Sequence, residues 1–366
     1  MSPLSLKQVL AASLAFVTAT PSLWADCGQI PIIRRVNVNV NVDVVVSNDW
    51  YPPPTRIIRV PVPPPLITTT QSQSQTQSQT QITRGGGGIP VYRGDDPEWD
   101  TVAAAKAVGK GIRTFKEPKQ YAVIGWNGTE EILVLMTEQQ AFKGEGAALS
   151  VLPLPGEPIE IKEGDKELFA NASAEIAKRL VGAAKKPVIA ESRIGAHNIF
   201  VIQAESTDQF VKEVEEYVTN KFGENAQPLL TGHIRETIQH YVGQGFRYFA
   251  FDLILNKPEL EVKQAIQYRF KSDYVYYPLY VSRLGGTGDT MVEAVVFTKG
   301  ALNQVKRGAL PDNRINTTRT VPFTQEELNA LSPDLGNLMG AGGAQGRKWT
   351  IEGEISSFAG DVMMRN

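Results

Sequence analysis

The sequence predicts an α+β fold, a largely antiparallel sheet with a helical layer, preceded by a disordered low-complexity tether. Three observations predict it. Short branched and aromatic runs recur between residues 121 and 358, joined by turns too brief for a crossover helix, and strands joined that way run antiparallel. Between them lie stretches with apolar residues at helical spacing. Ahead of both stands a run of proline, glutamine, serine and glycine. Such a composition buries too little apolar surface to offset the entropy of ordering it.

Lys7 gives the start a weak positive charge, residues 9–20 are mostly apolar, and Leu23-Trp24-Ala25 offers a cleavage site. That is the pattern of a secretory signal, expected over 1–25. The apolar run is shorter than the roughly 18–20 residues that span a bilayer, and no later segment is long and apolar enough to do so. The single cysteine, Cys27, would stand second in the mature chain. Asp26 before it is not the small residue that lipoprotein processing needs, so no lipid is expected there. One cysteine makes no internal disulfide, which leaves stability to a core. Pairing with another chain is the functional reading of Cys27.

Val36, Val38, Val40, Val42 and Val44 alternate with asparagine or aspartate, a period-two strand signal. A lone strand must pair with the core, with another copy, or stay unordered. Proline runs at 52–54 and 61–65 favour stiff extended backbone. The Gln-rich tract at 71–81 and four glycines at 85–88 follow. A linker is therefore expected over 26–115 and a folded domain over 116–366, with a short alanine-rich helix around 98–108.

Strands are expected at 121–126 and 131–137, with Asn127-Gly128 as a tight turn. A helix is expected from Asp165 through Leu180. Ser206 with Gln209 and Thr324 with Glu327 make capping boxes for two more. Pro228 is expected to open a helix through Ile234, Ile238 and Tyr241 that stops at Gly243. Further strands are expected at 247–255, 267–271, 278–284, 290–298 and 349–358.

The chain carries 37 basic and 39 acidic residues. Near-balance argues against a duplex nucleic-acid binder, which needs a strongly basic face. Gly285-Gly286-Thr287-Gly288 and Gly340-Ala341-Gly342-Gly343 lack the lysine and spacing of a phosphate loop, and both read as turns. No cofactor is expected. His233, Glu236 and His240 share a helix, but seven residues separate the histidines by about 10 Å along its axis, too far for one metal ion. A solvated face is the better account.

His197 and Asp252 are the weak catalytic candidates. No Gly-x-Ser-x-Gly nucleophile elbow occurs to serve His197, and a neutral histidine bonded to a backbone carbonyl is the simpler reading. Asp252 stands between Phe251 and Leu253 in an apolar strand. Burial there demands a partner such as Arg247 or Arg269. Tyr274, Tyr276, Tyr277 and Tyr280 offer an aromatic surface or, more simply, core packing with edge decoration.

Several segments together carry a resemblance: Cys27-Gly28, Trp126-Asn127-Gly128-Thr129-Glu130-Glu131-Ile132-Leu133, Ile194-Gly195-Ala196-His197, Gly245-Phe246 with Phe251-Asp252, and Gln267-Tyr268-Arg269-Phe270-Lys271-Ser272-Asp273 with Tyr277-Pro278-Leu279. In that order they resemble exported bacterial proteins of the domain-of-unknown-function family numbered twenty-three-thirty, over residues 121–358. The resemblance implies secretion and one extracytoplasmic domain, and carries over no catalytic residue. The low-complexity stretch falls outside its pattern. The function expected is a non-catalytic exported protein that binds an envelope or surface component through a tethered domain. The alternatives are an envelope hydrolase near His197 and Asp252, and self-assembly through the valine-rich strand at 36–46.

Overall fold

The computed structural model describes residues 28–34, 115–116, 118–141, 146–181, 199–256, 261–285 and 288–366. The fold is α+β, with antiparallel sheets and a helical layer. The principal strands are β1 (Gln29–Arg34), β2 (Lys119–Trp126), β3 (Glu130–Ala141), β4 (Gly146–Leu154), β5 (Pro158–Glu163), β6 (Ile199–Gln203) and β7 (Ala226–Pro228). After them come β8 (Tyr248–Asn256), β9 (Ile266–Lys271), β10 (Val275–Tyr277), β11 (Asp289–Thr298), β12 (Ala344–Glu354) and β13 (Val362–Arg365). The helices are α1 (Leu168–Val181), α2 (Thr207–Phe222), α3 (Gly232–Gly243), α4 (Gln325–Leu331) and α5 (Pro333–Met339).

The largest sheet runs β12-β11-β2-β3-β9-β5, with the short strand Asn316–Thr317 outside β12. Its founding hairpin turns at Asn127-Gly128-Thr129. Asn127 Oδ1 accepts from the amides of Thr129 and Glu130, both at 2.9 Å, and Gly128 sits at a φ of 112°, where a side chain is strained. One pair departs from antiparallel: β2 and β11 run parallel, Ala122 opposite Ala294. They lie far apart in the chain, so the short-turn rule does not bind them.

Both faces of this sheet are covered, which explains why residues 121–126 are apolar without alternation. Ala122, Ile124, Leu133 and Leu135 face the core shared with the five-stranded sheet. Tyr121, Val123, Ile132 and Val134 face α1 and α5 through Phe169 and Leu335. Gly125 permits the approach of α5, since a Cβ there would stand 2.5 Å from Leu335 Cδ2. A three-stranded sheet, β10-β13-Gln304–Val305, closes the body.

The five-stranded sheet has the order β6-β8-β4-β1-β7, and it corrects the expected linker over 26–115. β1 lies inside that range, yet pairs with β4 at Ile30↔Leu149 and with β7 at Ile32↔Pro228. Ile30 and Ile32 are buried, and the amide of Val151 donates to Gly28 O at 2.7 Å. β1 belongs to the same compact unit as Val91–Asn366. The reason is non-local pairing: its partners lie more than a hundred residues on, where no local pattern announces them. The valine-rich strand at 36–46, the proline, glutamine and glycine runs, and the helix at 98–108 lie outside the described residues.

Two other expectations are corrected. Pro228 ends β7 and opens no helix; α3 is capped by Thr231, whose hydroxyl accepts from the amide of Ile234. Residues 278–284 form no strand. Tyr280–Gly285 is a short 3-10 turn, because the amides of Leu279 and Tyr280 donate to the Asp361 carboxylate, each at 2.8 Å, instead of to a neighbouring strand. Two helices start where the sequence places them, α1 begins three residues after Asp165, and α5 was not foreseen. Ser206 caps α2, and Thr324 with Glu327 forms a full capping box on α4.

Candidate functional site

His197 lies outside the described residues. Asp252 does not: it sits in β8, opposite Ser150 of β4 and Ile199 of β6, and is buried. Side chains alternate along a strand, so Asp252 shares a face with Ile254. On that face a cavity of about 30 Å³ separates β8 and β4 from β3 and β9. Thr137, Gln139, Ser150, Lys263 and Tyr268 line it together with Asp252. Gln139 donates to Thr137 Oγ1 at 3.0 Å, while its Oε1 is buried without a partner. The negative charge of Asp252, second to burial itself, pushes the buried Tyr217 hydroxyl up.

The expected arginine partners go elsewhere. Arg247 meets Glu205 at 2.6 Å and the carbonyls of Val242 and Phe246. Arg269 forks onto Glu130 at 2.9 and 2.6 Å. The chemistry open to the Asp252 cavity follows from its size. A volume near 30 Å³ accepts one or two water molecules, and ligand pockets are on the order of 300–1,000 Å³. A polar, water-sized void explains how a carboxylate and several amide and hydroxyl groups tolerate burial between two sheets.

The histidines of α3 are engaged separately. His233 Nε2 lies 2.8 Å from Arg283 O. His240 stacks on Tyr280 with ring centroids 3.9 Å apart, and its Nε2 is 2.9 Å from Gln244 Nε2. Burial, aided by the Arg283 charge, holds His240 below its ordinary value. Among the described residues no group of three acids, histidines or cysteines converges on a metal position.

The tyrosine segment is split between core and edge. Tyr276 and Tyr277 are buried; the Tyr276 hydroxyl donates to Pro153 O at 2.9 Å, and that of Tyr277 donates to Gln120. Tyr274 and Tyr280 decorate the edge.

Two buried carboxyls escaped the sequence reading. Asp361, just before β13, accepts from the hydroxyls of Tyr241 at 2.9 Å and Tyr276 at 3.5 Å, and from the two amides of residues 279 and 280. Burial pushes it up to about 6 against those four donors. Glu131 of β3 is wholly buried; one oxygen accepts from the Tyr276 amide at 2.6 Å and the other has no partner. Burial pushes Glu131 well above the usual carboxylate range. Neither carries a motif. The only signal was an acidic residue beside aromatic or apolar neighbours, which Asp252 shares.

No family model matches the chain, and no curated protein matches it. Among solved structures, that of baculovirus P35 is similar over 69% of this chain and 97% of its own, at 8% identity and a TM-score of 0.36. A chain of the caspase-8/P35 complex matches over 57% of this chain and 75% of its own, at 10% identity and a TM-score of 0.31. Similarities of this size speak to neither site nor activity.

Proposed function

We propose that the chain is a non-catalytic exported protein that binds an envelope or surface component, displayed there through its low-complexity segment. The signal-like start and the resemblance to an exported family motivate the location. The observation that carries the rest is how the buried ionisable groups are used: Asp361 ties α3, β10 and β13 together, and Glu131 braces β10 against β3. Asp252 faces a void of about 30 Å³, fit for water. These groups hold a framework.

No helix among the described residues is long and apolar enough to cross a membrane. Removing residues 36–90 is expected to leave the body folded and to release it from its normal location. An unfolded body, or an unchanged location, contradicts the proposal.

A second reading, a hydrolase near His197 and Asp252, is favoured by the polar lining of the Asp252 cavity. Asp252→Asn and His197→Ala, assayed on ester, glycan and peptide substrates, separate the two. Turnover by the parent chain that either variant abolishes with the fold intact selects the enzyme.

A further inference from the structure

Several cations of this body are neutralised where they stand. Lys119 and Lys348 flank Glu293, Lys162 reaches Asp334, and Arg269 forks onto Glu130. One corner differs. The Tyr274 ring lies between two cations, Lys306 Nζ at 5.5 Å and Arg365 Cζ at 5.3 Å from its centroid. Arg365 hydrogen-bonds the neutral Gln304 side chain at 3.0 Å, and no ion pair within the described residues neutralises either charge. Asp273, beside Tyr274 in the chain and exposed, pairs with neither.

Nearby, Arg347 is 8% exposed. Its Nη2 donates to Thr298 Oγ1 at 2.9 Å and Gly300 O at 3.2 Å, its Nε is buried without an acceptor, and no carboxylate meets it. Gly300 in turn abuts Asn366, next to Arg365. Lys306 and Arg365 thus flank one ring beside the three-stranded sheet, and no carboxylate pairs with either. Like charges without a counter-charge raise the local potential and attract anions.

The backbone at this corner narrows the kind of anion. Gln304–Val305 is an edge of the sheet, bonded to β13 on one side only. An open edge takes an extended peptide by backbone pairing, while side chains on either flank supply selectivity. A lipid surface or a glycan uses no such edge. We propose that this corner docks an extended, acidic peptide segment of a partner protein, pairing with Gln304–Val305 and placing carboxylates against Lys306 and Arg365. The inference rests on the binding role proposed above and names its partner class.

A fluorescein-labelled octapeptide alternating valine and glutamate, titrated into the full chain by anisotropy at low and moderate salt, tests it. Binding is expected, weakened by salt, and at least tenfold weaker in Lys306→Gln with Arg365→Gln. An equal charge change at Lys166→Gln with Lys212→Gln is expected to leave it unaltered, and the amides of Gln304 and Val305 exchange more slowly with peptide present. Absence of binding, equal loss in both double variants, unslowed amides, or patch-dependent capture of anionic lipid vesicles in place of the peptide overturns the inference. Should the peptide fail while removal of 36–90 still releases the folded body, the docking face is wrong and the binding role stands.

Discussion

The β2–β3 hairpin and the β1 strand build the same body in opposite ways. The hairpin is local: three residues turn the chain, Asn127 satisfies two amides, and the register follows. β1 is remote: Gln29–Arg34 enters between β4 and β7, both far along the chain. The hairpin can form on its own turn chemistry. β1 gains its place only once the sheet that receives it exists, since closing a long loop costs entropy that only the burial of Ile30 and Ile32 offsets. Paired strands, β1 and Phe115–Lys116, stand at the two ends of residues 35–114.

The largest effect expected sharpens that contrast. Ile32→Asp places an unpaired carboxylate at a buried position and should cost about 4 kcal/mol, read as a fall in the midpoint of urea unfolding. A loss below about 1 kcal/mol would mean that β1 is ornamental.

Next in size is a pH effect rooted in the two buried carboxyls. A raised folded value means the folded state keeps a proton that the unfolded chain releases. Stability is then full below the unfolded value and falls as pH rises toward the folded one. For Asp361 the window runs from 3.8 to about 6, a loss of about 3 kcal/mol. Glu131, also raised, adds a decline that begins at 4.5. Glu131→Gln is expected to match the parent chain at low pH and exceed it at neutral pH, followed by thermal unfolding across pH 4–8. A variant that tracks the parent chain throughout would show that Glu131 ionises freely.

Two glycines follow in order. Gly125→Ala sets a Cβ against Leu335 and should cost about 2 kcal/mol by overpacking. Gly128→Ala meets empty space but keeps a φ of 112°, for about 1 kcal/mol of backbone strain. Chemical denaturation of the pair ranks them, and the reverse order would place turn geometry above helix–sheet packing.

What was legible in the sequence was local. Thr324 with Glu327 and Ser206 with Gln209 announced two helix starts, and Asn127-Gly128 announced the hairpin, because each rests on contacts within four residues. β1 was hidden because its partners lie more than a hundred residues on, and the 3-10 turn at Tyr280–Gly285 was hidden because Asp361, some eighty residues away, takes the amides a strand would have used. Asp252 was singled out by Phe251 and Leu253 on either side, whereas Glu131 and Asp361 each have a large apolar residue on one side only. The unpaired state of Arg347 and the cations about Tyr274 required the third dimension.

Native-state hydrogen exchange on the chain lacking residues 36–90 tests the central claim most directly. If β1 is an integral strand and the removed segment is dispensable to the fold, the amides of Ile30 and Ile32 exchange as slowly as those of Leu149 and Val151. Exchange of the β1 amides at the rate of an unprotected peptide, with β4 still protected, would contradict it.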